Sequence, residues 1–270
     1  DILKDPLVGD AAKDLWNDAN KMIKKIIEKK LTQPKAVFGF WPANSDGDDI
    51  VIFESEKRTK ILNKLFFLRQ QINRKNSDRP NMCLADFIAP IGVKKDYIGG
   101  FLVTAGSGIE DLSSEYENKN DDYNSILVKS IGDRFAEGLA EMLHASVRKK
   151  YWGYNPKESL KNSDLISEKY IGIRPAPGYP ACPDHTEKET LFSLLNVKEN
   201  LKIKLTESYA MSPASSVSGL YFSNPMSSYF GVGKIYKDQI EDYAKRKGLG
   251  VDLIEKWLGP NLGYSPSKVN

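Results

Sequence analysis

Arg174-Pro175-Ala176-Pro177-Gly178-Tyr179-Pro180-Ala181-Cys182-Pro183-Asp184-His185-Thr186-Glu187-Lys188 is the stretch around which the chain reads. Four prolines between positions 175 and 183 exclude a helix interior or a central strand, because each fixes φ and removes a backbone donor. The segment is expected to run extended, with several carbonyl oxygens turned to water or a ligand. Gly178 can take positive φ or let another group approach the backbone closely. Arg174 brings a planar fork matched to a carboxylate, and Tyr179 a flat face with a hydroxyl. Asp184 followed by Glu187 reads as a capping box opening a helix. The stretch is therefore read as a stiff strap anchored by a helix start, suited to a zwitterionic or heteroaromatic small molecule.

The rest of the chain supplies a scaffold for this strap. Residues 7–29 have apolar positions at helical spacing, from Leu7 through Trp16 to Ile27. Ala36–Trp41 reads as a strand ended by Pro42. Asn44–Gly47 reads as a turn and Asp49–Phe53 as the returning strand of a hairpin. Residues 59–72 read as helix, 73–80 as a polar loop, and 84–89 and 97–104 as strands. The second of these strands is almost wholly apolar and is expected to be covered on both sides. Gly106-Ser107-Gly108 reads as a turn, since the third glycine of a nucleotide loop is replaced by Asp111. Residues 110–151 read as two helices, the second starting at Asp121 or Asp122. Its apolar face is assigned to Tyr123, Ile126, Leu127, Ile131, Phe135, Leu139, Met142, Leu143 and Val147. A short helix is expected near 158–169, and another from Glu187 to Val197. Strands are expected at 205–211, 217–222 and 229–235, the last two as a hairpin about Ser223-Asn224-Pro225. Helices over 239–246 and 251–258 close the chain. Strands in two groups around a helical middle indicate an α+β fold with a mostly antiparallel sheet. No linker forces a split, so residues 1–270 are read as one domain.

Composition excludes several function classes. The 270 residues carry 39 basic and 36 acidic side chains, a net charge of +3. That balance does not point to nucleic acid or a membrane surface. No apolar run reaches the roughly 18 residues that span a bilayer. Two cysteines do not make a disulfide framework, and two histidines argue against a structural zinc site. A reducing cytoplasm fits best. The chain starts at Asp1 and reads as a piece of something longer. Gly-x-Ser-x-Gly, the phosphate-loop pattern, His-Glu-x-x-His and Cys-x-x-Cys are absent. A nucleophilic role for Cys182 beside His185 is disfavoured by the intervening Pro183.

The strap resembles the Arg-x-x-x-Gly-Tyr signature of the activation domain of cobalamin-dependent methionine synthase. Leu84–Pro90, Asp96–Gly99, Asp121–Asn124, Tyr151–Tyr154, Val217–Gly219 and Pro260–Tyr264 match the same family in the same order. The resemblance implies a C-shaped α+β domain that binds S-adenosylmethionine and supports reductive methylation of cob(II)alamin to methylcobalamin. It implies Arg174, Pro175, Ala176, Pro177, Gly178, Tyr179, Tyr229 and Phe230 at the ligand, with Glu137 and Glu168 as possible supporting acids. The family commonly has Tyr-Tyr where this chain has Tyr229-Phe230, so one hydroxyl is lost. It also uses an acidic residue upstream of Asp1. The implied partners are a cobalamin-binding domain and flavodoxin or a flavoprotein reductase. The cobalamin motif Asp-x-His-x-x-Gly and the zinc-thiolate cysteines of the homocysteine domain do not occur here. The alternative reading is a free-standing S-adenosylmethionine-dependent methyltransferase acting on another acceptor.

Overall fold

The structure is a computed structural model that describes residues 2–73 and 79–266. Part of the polar loop expected at 73–80 lies outside the described residues. The fold is α+β, as expected, and the chain divides into two compact units. One comprises Asp1–Ala36, Leu102–Leu143 and Leu201–Val217; the other comprises Val37–Phe101, His144–Asn200 and Ser218–Asn270.

The first unit is mainly helical. Helix α1 (Gly9–Glu28) buries Met22 and Ile26, but the stripe read from the spacing is covered only in part, since Leu15, Trp16 and Ile27 are exposed. Most of α3 lies here, and α2 also; they span Asp122–Ser146 and Gly108–Glu117. Met22, Ile26, Ile109, Leu112, Leu127, Val128 and Ile131 form the core, together with Ala105. The turn at 106–108 has a steric cause: a Cβ on Gly108 would lie 1.9 Å from the Leu31 carbonyl oxygen. The stripe assigned to α3 proves too wide, since Tyr123, Ile126 and Met142 are exposed. The strand expected at 205–211 is two short paired pieces, β5 (Lys204–Leu205) and β6 (Met211–Ser212), joined by a turn.

The second unit holds most of a five-stranded sheet. Its strands are β1 (Lys35–Asp46), β2 (Asp49–Phe53), β3 (Ile61–Phe66), β4 (Asp96–Thr104) and β7 (Ser216–Tyr221), in the order β3-β2-β1-β4-β7. The hairpin about Gly47 is present, with Asp46 opposite Asp49 and Ala43 opposite Ile52. Pro42 does not end β1. Pairing with β2 begins only at Ala43, so the missing donor of Pro42 costs no hydrogen bond on that side. β4 is buried from Ile98 onward, as expected of a central strand.

Four expectations fail here for identifiable reasons. Residues 59–72 hold strand β3, paired antiparallel with β2 from Phe66 opposite Asp49 to Ile61 opposite Phe53. A short apolar run fits either period, and the open edge of β2 settles it as a strand. Residues 84–89 form a 3-10 turn over Leu84–Phe87, because Asp86 accepts the backbone N–H of Cys83 at 2.8 Å and caps it. Residues 229–235 form no strand, so the last hairpin is absent. Gly233 sits at φ +80°, and the segment follows the strap instead, with Val232 N–H donating to the Pro180 carbonyl at 2.8 Å. The helix near 158–169 shrinks to α4 (Asn162–Ile166).

Helices α5 (Glu187–Leu194), α6 (Val197–Leu201), α7 (Lys237–Lys247) and α8 (Val251–Leu258) complete the chain. Leu68, Val232, Ile235, Ile240, Tyr243, Ile254 and Leu258 form the core beneath α7 and α8. Among the described residues, no helix is long and apolar enough to cross a membrane.

Candidate functional site

The strap is held by backbone hydrogen bonds at both edges. On one side Ile173 and Phe222 exchange a pair of bonds at 3.1 and 3.0 Å, and Leu220 N–H donates to the Pro175 carbonyl at 2.9 Å. β7 thus receives the strap's first half as an extra bridge. On the other side lies the Val232 to Pro180 bond. Between them the chain folds on itself: Tyr179 donates to Ala176, Cys182 to Tyr179 and Gly178 to Cys182. The expectation of an extended run throughout the strap is therefore corrected. The carbonyls of Pro175, Ala176, Tyr179, Pro180 and Cys182 all accept within the chain, because a tight turn at 176–182 replaces the expected extended run.

Gly178 owes its identity to the protein itself. Its φ is +95°, and a Cβ there would meet the His185 imidazole at 2.2 Å. The close approach is by His185 and not by a bound molecule alone. Gly178→Ala is accordingly expected to cost at least about 1–2 kcal/mol from the left-handed backbone, with a further loss as the imidazole is displaced. Thermal melting in the His185→Ala background isolates the steric part. If the two substitutions add without interaction, the imidazole contact contributes nothing.

Arg174 lies at the strap's entry, beside a group of buried rings. One guanidinium nitrogen, Nη1, donates to His144 Nδ1 at 3.0 Å and to Tyr170 Oη at 3.1 Å. The Arg174 backbone N–H donates to Tyr229 Oη at 2.9 Å, and the Tyr229 and Tyr170 hydroxyls are 3.4 Å apart. Arg148 lies over the Tyr170 ring at 4.4 Å and is itself matched by Glu158, at 2.6 and 2.8 Å from Nε and Nη2. Arg148 and Glu158 are both buried. His144 is wholly buried, and burial with the two nearby guanidiniums drives its pKa down to about 2. The imidazole is thus neutral, and its Nδ1 is the acceptor.

The strap's far end is fixed by a buried ion cluster. Lys247 on α7 reaches Asp184 at 2.7 Å, Glu187 at 2.6 Å and Thr186 Oγ1 at 2.7 Å. Tyr243 donates to Asp184 at 2.9 Å, and the Phe66 N–H donates to Glu187 at 3.0 Å. The expected capping box is not formed. Glu187 is the first residue of α5, two positions short of where a capping-box carboxylate sits, and turns to Lys247 and β3. Asp184 instead accepts the Thr186 N–H at 2.8 Å. Cys182 is buried beside this cluster, and burial pushes its thiol pKa up, which suits packing and not a nucleophile.

The remaining expected residues divide between the units. Pro175 and Pro177 are buried and Tyr179 is 66% exposed. Tyr229 is brought to Arg174. Phe230 is half-buried, packs against the α7–α8 core and meets Phe87 edge-on with ring centres 6.3 Å apart. Phe230→Tyr is expected to shift stability by no more than about 1 kcal/mol, as melting and ligand titration will register. A loss of both stability and affinity would show the ring edge to be enclosed. Glu168 is exposed in the second unit, at φ +52°. Glu137 is on α3 in the first unit, exposed and ion-paired with Arg134 at 3.0 Å. Sequence reading missed His144, Arg148, Glu158 and Tyr170. Among the described residues, no group of acidic, histidine or cysteine side chains is arranged to hold a metal ion.

An arginine-led strap bonded to β7 at the edge of the sheet, beside Tyr170 and Tyr229, marks an α+β fold with a candidate small-molecule site. The family model described as "Vitamin B12 dependent methionine synthase, activation domain" matches residues 1–248, and the chain belongs to that family. A crystal structure of the MetH reactivation domain bound to AdoHcy is similar at a TM-score of 0.94 and 52% identity, over 98% of this chain and 81% of that one.

Proposed function

We propose that residues 1–270 act as one reactivation module that binds S-adenosylmethionine through the strap, within a cobalamin-dependent methionine synthase. The observation that carries this reading is Arg174, fixed by His144 and Tyr170 at the entry of the strap. The ligand's groups fit the residues present. Its carboxylate suits the Arg174 fork. The exposed ring of Tyr179 and the ring of Tyr229 offer faces to the adenine. The backbone of Pro175, Ala176, Pro177 and Gly178 can take the ammonium and the adenine amino group, since a carbonyl that already accepts one bond has a second lone pair. Phe230 packs against the α7–α8 core, and Glu168, in the same unit as the strap, is the acid assigned to support the cationic ligand.

When bound, S-adenosylmethionine supplies an electrophilic methyl group on a sulfonium. The work of this chain is to bind and orient it. The methyl acceptor is cobalamin held by a neighbouring cobalamin-binding domain, and the electron comes from flavodoxin or a flavoprotein reductase. Zinc belongs to the homocysteine domain. Alone, the chain is expected to bind S-adenosylmethionine without making methionine. Two free, buried cysteines agree with a reducing, cytoplasmic setting. The free-standing methyltransferase reading is disfavoured, because the glycine turn at 106–108 is filled by the Leu31 backbone. Calorimetric titration of the 270-residue chain with S-adenosylmethionine tests the proposal. Saturable binding at one site is expected, and its absence at millimolar ligand would sink it.

A further inference from the structure

We propose that His144 is a positioning residue for the ligand's carboxylate, acting through Arg174. This rests on the reading of the strap as an S-adenosylmethionine site. A guanidinium only donates, so the 3.0 Å contact between Arg174 Nη1 and His144 Nδ1 makes Nδ1 the acceptor. The ring proton then sits on Nε2, which faces the Tyr154 hydroxyl at 3.4 Å. The imidazole cannot swing away. It is stacked on Tyr221 with ring centres 5.1 Å apart and 17° between planes, and it meets the Tyr170 ring edge-on at 5.0 Å.

The neighbouring guanidinium of Arg148 is held in turn by Glu158. His144 sits in the last turn of α3, three residues before the start of the widened π turn Val147–Tyr151, a geometry often found at functional sites. An arginine side chain has many rotamers, and a fork binds a carboxylate with two bonds only when its plane is set beforehand. Here one corner of the fork is pinned by an acceptor that neither rotates nor ionises. The side chain at 144 therefore acts on affinity for a carboxylate-bearing ligand and leaves the adenosine part untouched.

Two ligands separate this role from simple packing. S-adenosylhomocysteine carries the amino-acid carboxylate; 5′-methylthioadenosine keeps the adenosine and thioether without it. His144→Leu is expected to lose about tenfold in affinity for the first, the loss of one charge-assisted hydrogen bond, with the second unchanged. His144→Asn places an oxygen where Nδ1 was and is expected to recover most of the affinity. His144→Gln places its oxygen nearer the Nε2 position and is expected to recover little. Nitrogen NMR of the unsubstituted chain, which has only two histidines, should show a neutral ring protonated on Nε2, with Nδ1 shifting on Arg174→Met.

Equal losses for both ligands in folded variants, unaltered affinity in His144→Leu, or an Nδ1-protonated ring would each overturn the assignment. An unsubstituted chain that binds neither ligand, or both equally, would instead overturn the site reading and His144's role with it. Should His144→Leu fail to fold, the Asn and Gln pair and the NMR measurement still decide.

Discussion

Arg174→Ala is expected to weaken S-adenosylmethionine binding by about 10- to 150-fold, the equivalent of roughly 1.5–3 kcal/mol for a charged hydrogen-bonded partner. The side chain is the one strap group whose chemistry matches a carboxylate two bonds at a time. Removing it also takes the donor from His144 Nδ1 and Tyr170 Oη. Both residues are buried, so the substitution carries a stability cost of its own, about 1–3 kcal/mol if no water replaces the guanidinium. Titration must therefore be paired with thermal melting. Arg174→Lys separates charge from shape, since an ammonium keeps the charge and loses the planar fork. It is expected to bind between the two extremes. A dissociation constant for Arg174→Ala equal to that of the unsubstituted chain would remove Arg174 from the site.

The parts of this fold that the sequence made legible are those whose signal is local. The existence of helix α1, the helix start at Asp122, the hairpin about Gly47 and the buried run of β4 all follow from spacing and turn chemistry within a few residues. What stayed hidden was decided by partners far along the chain. Residues 61–66 become a strand because β2 offers them an edge. Residues 229–235 fail to become one because the strap and the segment near Leu262 take their hydrogen bonds.

The site divides in the same way. An arginine, a glycine and a tyrosine within six residues could be read as a strap for a small molecule. The partners of that arginine could not, since His144 lies 30 residues away on another element, and a histidine on a helix carries no mark of which atom it meets. Glu187 illustrates the converse. Its spacing from Asp184 made a plausible cap, but α5 begins at Glu187 itself, and the carboxylate meets Lys247, 60 residues along the chain, instead.

Lys247→Met is expected to be the most destabilising single change at the strap, by about 3–5 kcal/mol near pH 8. Lys247 is the cation for two buried carboxylates, Asp184 and Glu187, and without it both charges stand in low dielectric. The cost must depend on pH. Burial raises the Glu187 pKa to about 7 from 4.5, while Lys247 opposes the rise. A carboxyl whose pKa is raised on folding binds more protons folded than unfolded between those two values. Its contribution to stability is then fully present below about pH 4.5 and is lost as pH climbs through about 7. Asp184 is shifted downward, with its attraction to Lys247 and its hydrogen bonds outweighing burial, so its contribution is lost on acidification instead. Removing the lysine raises both folded pKa values. The substitution should therefore be mildest near pH 5, where Glu187 takes a proton cheaply, and severest above pH 7. Denaturant titrations of both chains at pH 5, 6.5 and 8 test this. A destabilisation that does not change across that range would mean that lost packing of the lysine stem, and not the two carboxylates, sets the cost.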